Sequence, residues 1–242
     1  SRSGPNDEAS RRDQSSKLTI SFRNAKYREL KMGDNFILGL VLKGENVAEA
    51  KWQSENVLEI TRENLPPFQA AIIKEKLVTI DHVQPFMGLP VSVIVNFPKV
   101  GRWSGDAIAL CEEHGKAWGQ WSVLLRSLRK EFPETTENNE ISFNRRALSQ
   151  HSRVSNVSFQ LDHVLLVEHE IGKTLRVALL YQYDLCGDDV RSAWDDLGPF
   201  DLLLKTNPNG SILDDVSEVA DALSIKVFGI KDTLAYLAKG KF

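Results

Sequence analysis

Cysteine is nearly missing from this chain: there are two in 242 residues, Cys111 and Cys186. A pair that far apart builds neither a disulfide framework nor a zinc knuckle, so both are expected as buried thiols of an intracellular, soluble protein, cytoplasmic or within a particle. Long apolar runs are missing too, and none approaches the roughly 20 residues of a membrane span. The net charge is only -3, which excludes a polycationic nucleic-acid binder and leaves room for local basic patches. The chain opens Ser1-Arg2-Ser3-Gly4 without a charged-then-apolar leader, as a processed or partial product does.

Catalytic and metal-binding signatures are equally scarce. The histidines are His82, His114, His151, His163 and His169. No two of them share a helical i, i+4 spacing or have a cysteine partner, so no metal and no cofactor is expected. His163 and His169, six residues apart on a strand, would stand roughly 20 Å from each other. There is no Gly-x-Ser-x-Gly and no phosphate-cradling Gly-x-x-x-x-Gly-Lys loop.

What is present is ordinary globular material, 42% hydrophobic and 26% charged. A chain of this length buries roughly 70% of its unfolded surface. Residues 1–16 hold Ala9 as their only apolar residue besides Pro5, and are expected as a disordered arm. Residues 17–242 are read as one globular domain, with no internal repeat and no convincing linker.

The pattern along that domain is mostly β. Leu18, Ile20 and Phe22 alternate with polar residues, as in a half-buried strand. Phe36 to Leu42 is a nearly unbroken apolar run, expected as a strand buried on both faces. Strands are also expected at Val57–Ile60, Leu77–Ile80, Val91–Phe97, Leu202–Leu204 and Ile225–Phe228, and a turn or helical turn over 65–73. From Ala107 through Cys111, His114, Trp118, Trp121, Leu125 and Leu128 to Phe132, apolar positions recur every three or four residues. That spacing predicts one long helix with Trp118, Trp121, Leu125 and Leu128 on its buried face, stopped by Pro133. Both Cys111 and His114 fall on its stripe; Cys111 is expected buried and inert, and His114 as a core or interface histidine rather than a ligand. Glu134 to Glu140 reads as a loop. Residues 157–167 and 175–183 read as a long hairpin turning at 168–173. A helix capped by Ser211 with Asp214 follows, then a terminal helical turn over 232–239. The sum is an α+β, β-rich fold: antiparallel sheet or sandwich, jelly-roll-like in one variant, with one long helix and short C-terminal ones.

Three clusters carry possible chemistry. Asp184, Asp188, Asp189, Asp195, Asp196 and Asp201 crowd a short stretch but lack EF-hand spacing, so they read as a solvated acidic loop. Gly101-Arg102-Trp103-Ser104-Gly105-Asp106 lies where a strand hands over to a helix. Such a turn can hold an anion and is the natural site if the chain is an enzyme, although Ser104 or Asp106 serving as N-cap explains it more simply. Arg126, Arg129, Lys130, Arg145, Arg146 and Arg153, with Trp118 and Trp121 just upstream, form a basic patch able to contact RNA.

Charge is segregated along the chain. Residues 1–31 hold eight basic and four acidic side chains, whereas 184–221 hold ten acidic and two basic ones. A positive arm carrying Arg2, Arg11 and Arg12, and a negative patch carrying Asp188, Asp189, Asp195 and Asp196, suit head-to-tail association of copies. In layout the chain is similar to small viral coat or matrix proteins. That resemblance implies a non-enzymatic, self-assembling structural protein with itself as partner and nucleic acid as a second possible one. An RNA-binding regulatory module using residues 126–153, or an enzyme with its site at 101–106, are the rival readings.

Overall fold

The computed structural model describes residues 34–242. The arm over residues 1–16, its Arg2, Arg11 and Arg12, and the strand expected at Leu18–Phe22 lie outside them.

The first apolar run is helical. Residues 34–42 form α1, and its burial recurs every four residues: Ile37 and Val41 are buried while Phe36 and Leu42 stay exposed. A strand would bury alternate residues, and the leucines of this run are good helix formers. Three antiparallel strands follow as a meander, β1 (Val47–Trp52), β2 (Val57–Arg62) and β3 (Phe68–Ile73). Strand β3 replaces the turn expected over 65–73. Its prolines stop at Pro67, and the residues after them are buried on both faces, as in a central strand. Two crossovers then add strands parallel to β3. The first runs through β4 (Leu77–Val78) and α2 (Ile80–Val83) to β5 (Val91–Asn96), the second through β6 (Arg102–Trp103) and α3 (Gly105–Glu113) to β7 (Ala117–Gln120). The sheet order is β1-β2-β3-β5-β7, β4 pairs with β6 in a small sheet of its own, and α4 (Trp121–Ser127) closes this unit.

The long helix expected from Ala107 to Phe132 is therefore three elements, α3, β7 and α4. Gly115 has φ +61 and ends α3, with Lys116 N–H donating back to the Cys111 carbonyl at 2.9 Å. Gly119 at φ +147 holds the strand between the helices. A 3–4 spacing survives the break because each segment buries its own share. His114 is exposed and Leu125 is 40% exposed, against the expected stripe.

The second unit repeats the topology. Helix α5 (Asn139–Ser149) precedes a meander of β8 (Val154–Leu161), β9 (Val164–His169) and β10 (Thr174–Leu180). The expected single strand over 157–167 turns at Asp162-His163, making two hairpins of one. Helix α6 (Gly187–Leu197) then crosses to β11 (Leu202–Lys205) and α7 (Asp215–Leu223) to β12 (Lys226–Gly229), both strands parallel to β10; α8 (Ile230–Lys239) ends the chain. Asp214 is the N-cap of α7, while Ser211 is bonded to Asp184. The stretch read as an acidic loop is mostly α6, whose Val190, Ala193 and Leu197 are buried at helical spacing.

Each unit is a three-layer stack. In the first, α1 and α4 cover one face of the sheet and α2 and α3 the other. In the second, α5 and α8 cover one face and α6 and α7 the other. The content is thus mixed α/β, in two mixed five-stranded sheets sheathed by helices rather than an antiparallel sandwich. The units meet where β6 and the start of α3 reach β8. Ser104 bridges to Leu161, Asp162 N–H donates to the Trp103 carbonyl at 3.0 Å, and Trp118 stands edge-on to Phe159, 5.3 Å between centroids. A Cβ on Gly105 would lie 1.9 Å from the Phe159 carbonyl oxygen, so only glycine permits that approach.

Candidate functional site

The strand-to-helix turn at 101–106 is a joint. Ser104 is the N-cap of α3, its hydroxyl accepting from Ala107 N–H at 3.3 Å. Trp103 is fully buried, and β8 occupies the space over Gly105. Arg102 donates to Asp196 and to Nδ1 of His163, which also sits 3.1 Å from the buried carboxylate of Asp162. Asp162 Oδ1, Trp103 Nε1 and Arg102 Nε are buried here without partners. Sequence reasoning missed the Asp162-His163 pair because both residues lay inside a run read as one strand.

Four of the six basic candidates are tied to carboxylates. Arg145 donates to Glu112 at 2.7 Å and stacks over Phe159 at 4.6 Å; Arg146 donates to Glu137 at 2.8 Å. Arg153 pairs with Glu170 and also donates to the Ala238 carbonyl, while Arg129 pairs with Glu45. The six do not share one surface. Arg126, Arg129 and Lys130 line a pocket at the end of α4, whereas Arg145 and Arg146 line a separate groove between the units. Of the two tryptophans placed upstream, Trp121 packs on Phe97 and the α1–α4 core, and Trp118 faces the groove.

That groove has a volume of about 780 Å³. Glu112, Lys116 and Trp118 of the first unit line it opposite Arg145 and Phe159 of the second. Lys116 is turned away, its ammonium donating to the carbonyls of Leu89 and Val91 at 3.0 and 2.8 Å. The buried Thr136 hydroxyl on its wall has no partner. No sequence motif marks Thr136; only the packing of the turn at 133–135 against β5 and β7 does.

Comparison with family models, curated proteins and solved structures finds no match for this chain. Among the described residues no three His, Cys, Asp or Glu side chains are grouped to hold a metal. No described helix is long and apolar enough to cross a membrane. Cys111 is buried, and burial, reinforced by Glu112 and partly offset by Lys116, pushes its thiol up to about 12. It is a protonated, inert group at neutral pH. Cys186 is half-buried and donates its Sγ proton to Asp189 at 3.1 Å.

The aspartates divide by role. Asp189 caps the start of α6, accepting from Cys186 N–H at 3.1 Å and from Gln182 at 3.0 Å, and Asp196 holds Arg102. Asp188 and Asp195 remain on the outer surface of α6, beside Asp214, Glu218 and Asp221 of the adjacent α7. Both basic residues of this stretch are spent internally. Arg191 pairs with Asp188 at 2.8 Å, and Lys205 is buried with its ammonium on the carbonyls of Asn207 and Asn209.

Proposed function

We propose that the chain is a non-enzymatic self-associating module whose α6–α7 face takes the basic arm of another copy. The observation that carries this reading is the exposure of Asp188, Asp195, Asp214, Glu218 and Asp221 on α6 and α7, while the two cations of the stretch 184–221 are committed, Arg191 to Asp188 and Lys205 to backbone carbonyls. Exposed ion pairs contribute only about 0.2–1 kcal/mol each, so Arg2, Arg11 and Arg12 on Asp188, Asp195 and their neighbours are too weak to assemble copies alone. Apolar surface beside the acids supplies the rest. Tyr181 and Tyr183 are 58% and 63% exposed, and Ile212 and Leu213 are 37% and 41% exposed. Their two loops are stitched together: Leu185 N–H donates to the Ser211 carbonyl, and Leu213 N–H to the Leu185 carbonyl, both at 2.9 Å. Aromatic residues bordered by charge are what association surfaces use.

Light scattering behind size exclusion, at about 20 and 300 mM salt, tests this, because the screening length falls from about 20 to 6 Å across that range. The expected result is an oligomer that shrinks with salt. Deleting residues 1–16 should flatten the salt dependence, and Tyr183→Ser should lower the oligomer mass at both salts. A full-length chain that stays monomeric under all conditions overturns the reading.

A further inference from the structure

We propose, resting on the self-association reading, that the open edge of β12 takes residues 17–23 of another copy's arm as an added strand. Among the described residues β12 is bonded on one side only, to β11, and stands last in its sheet. Successive N–H groups of a strand point to opposite sides. Lys226 N–H donates to the Asp201 carbonyl at 3.0 Å, so Val227 turns its N–H and carbonyl toward the open side. The corresponding edge strand of the first unit is β7, and there residues 133–135 of the same chain pack against it. In the second unit the chain passes from β12 straight into α8, which lies on a face of the sheet.

Beside the open edge a pocket of about 380 Å³ lies between β12 and α7. Ile212, Leu213 and Val227 give it apolar wall, and Asp214 and Asp221 line it against the one cation there, Lys226. The occupant is argued from the sequence of the arm. Residues 17–23 read Lys-Leu-Thr-Ile-Ser-Phe-Arg. In an extended segment Leu18, Ile20 and Phe22 share one face, and Thr19 and Ser21 share the other. Laid along β12, the apolar set enters the pocket against α7 and the polar set turns away from it. Lys17 and Arg23 flank the set with the sign that Asp214 and Asp221 attract. Strand addition divides the work in this way: main-chain bonds at the edge supply affinity, and a pocket for alternate side chains selects the sequence. The arginines at 2, 11 and 12 then guide the arm, while residues 17–23 hold it.

A fluorescent peptide of residues 15–25 tests the site by anisotropy. It is added to the full chain carrying Leu18→Asp and Ile20→Asp, whose own arm no longer competes. Saturable binding with Kd below roughly 100 µM is expected. Leu213→Asp, at a position 41% exposed, should weaken it about ten-fold or more, because a charge then faces the apolar side chains. Leu125→Asp, 40% exposed on α4, should leave it unchanged. A peptide N-methylated at Thr19 and one N-methylated at Ile20 should differ about ten-fold, since only one of two neighbouring N–H groups can face β12. In light scattering, Ile20→Asp should lower the oligomer mass at both salts, although every arginine of the arm is kept. No saturable binding, unchanged binding to Leu213→Asp, or equal loss in both N-methylated peptides overturns the strand addition. A chain that assembles while the peptide fails to bind overturns the strand addition and leaves self-association standing. A monomeric chain that still binds the peptide supports the β12 edge as the site and overturns only self-association.

Discussion

Asn96 and Lys205 hold the same position in two copies of one topology. Each is the last residue of the middle parallel strand. Asn96 is in register with Ile73 and Gln120, Lys205 with Leu180 and Gly229. Each is buried, and each pins a loop at the carboxyl end of its sheet. The chemistry differs because the loops offer different atoms. Asn96 meets a donor and an acceptor, the N–H and carbonyl of Glu75, at 3.1 and 2.8 Å, so an amide fits. Lys205 meets only acceptors, the carbonyls of Asn207 and Asn209 at 2.7 and 2.6 Å, so an ammonium fits. Both copies of the topology place a buried polar group at this point, and the local backbone decides whether it is neutral or charged.

Breaking the two pins should separate them in magnitude. Lys205→Met leaves two carbonyls facing a side chain that cannot donate, and is expected to cost about 2–4 kcal/mol in urea unfolding. Asn96→Leu loses two neutral hydrogen bonds and should cost about 1–3 kcal/mol. Equal losses, or the reverse order, would show that charge at this position carries no extra weight.

Gly105→Ala asks whether the two units hold together as one cooperative body. The added methyl must displace β8 or α3, which is expected to cost about 1–3 kcal/mol, the usual penalty for overpacking. Trp103 and Trp118 lie 5.7 Å apart at this joint, so their fluorescence should report the change directly. Two resolved unfolding transitions in the variant, where the parent shows one, would show that the joint couples the units. A variant as stable as the parent would mean that the approach at Gly105 is readily relaxed.

The second unit was the more legible of the two in sequence. β11, β12, α7 and α8 are bounded by turn residues and keep one period throughout, and β5 in the first unit ends cleanly before Pro98. The failures have physical causes. Phe36 to Leu42 carries an apolar side chain at every position but Gly39, so periodicity cannot separate helix from strand, and only the burial of Ile37 and Val41 decides. β7 sits between two helices whose apolar spacing happens to continue through it. α5 and α6 are rich in charged and polar residues, and their single buried stripes were hidden under those charges. The repeat of topology leaves no trace at the level of residues, because Asn96 and Lys205 answer the same demand with different side chains. The basic triad at 126–130 was visible as charge. That Arg126 buries its Nε and Nη2 without partners was not, because such burial depends on how α4 packs.

The two cysteines give the finest comparison between the units. The thiol of Cys111 is pushed from an ordinary value of 9.0 up to about 12, first by burial. Its folded pKa therefore lies above its unfolded one, and the unfolded chain holds fewer protons between those two values. Stability from this group is complete below about pH 9 and is lost as pH rises toward 12, with a slope of at most about 1.4 kcal/mol per pH unit. Lys116, whose pKa burial lowers, titrates with the opposite sign, so the useful quantity is the difference between the parent and Cys111→Ala. Urea midpoints between pH 8 and 10.5 should fall more steeply for the parent, and the variant should flatten that part of the curve. Cys186, half-buried on Asp189, should react with a thiol reagent in the folded chain at rates that urea hardly changes, while Cys111 should react only on unfolding. If the two curves stay parallel up to pH 10.5, Cys111 titrates alike in both states and its burial has no influence on alkaline stability.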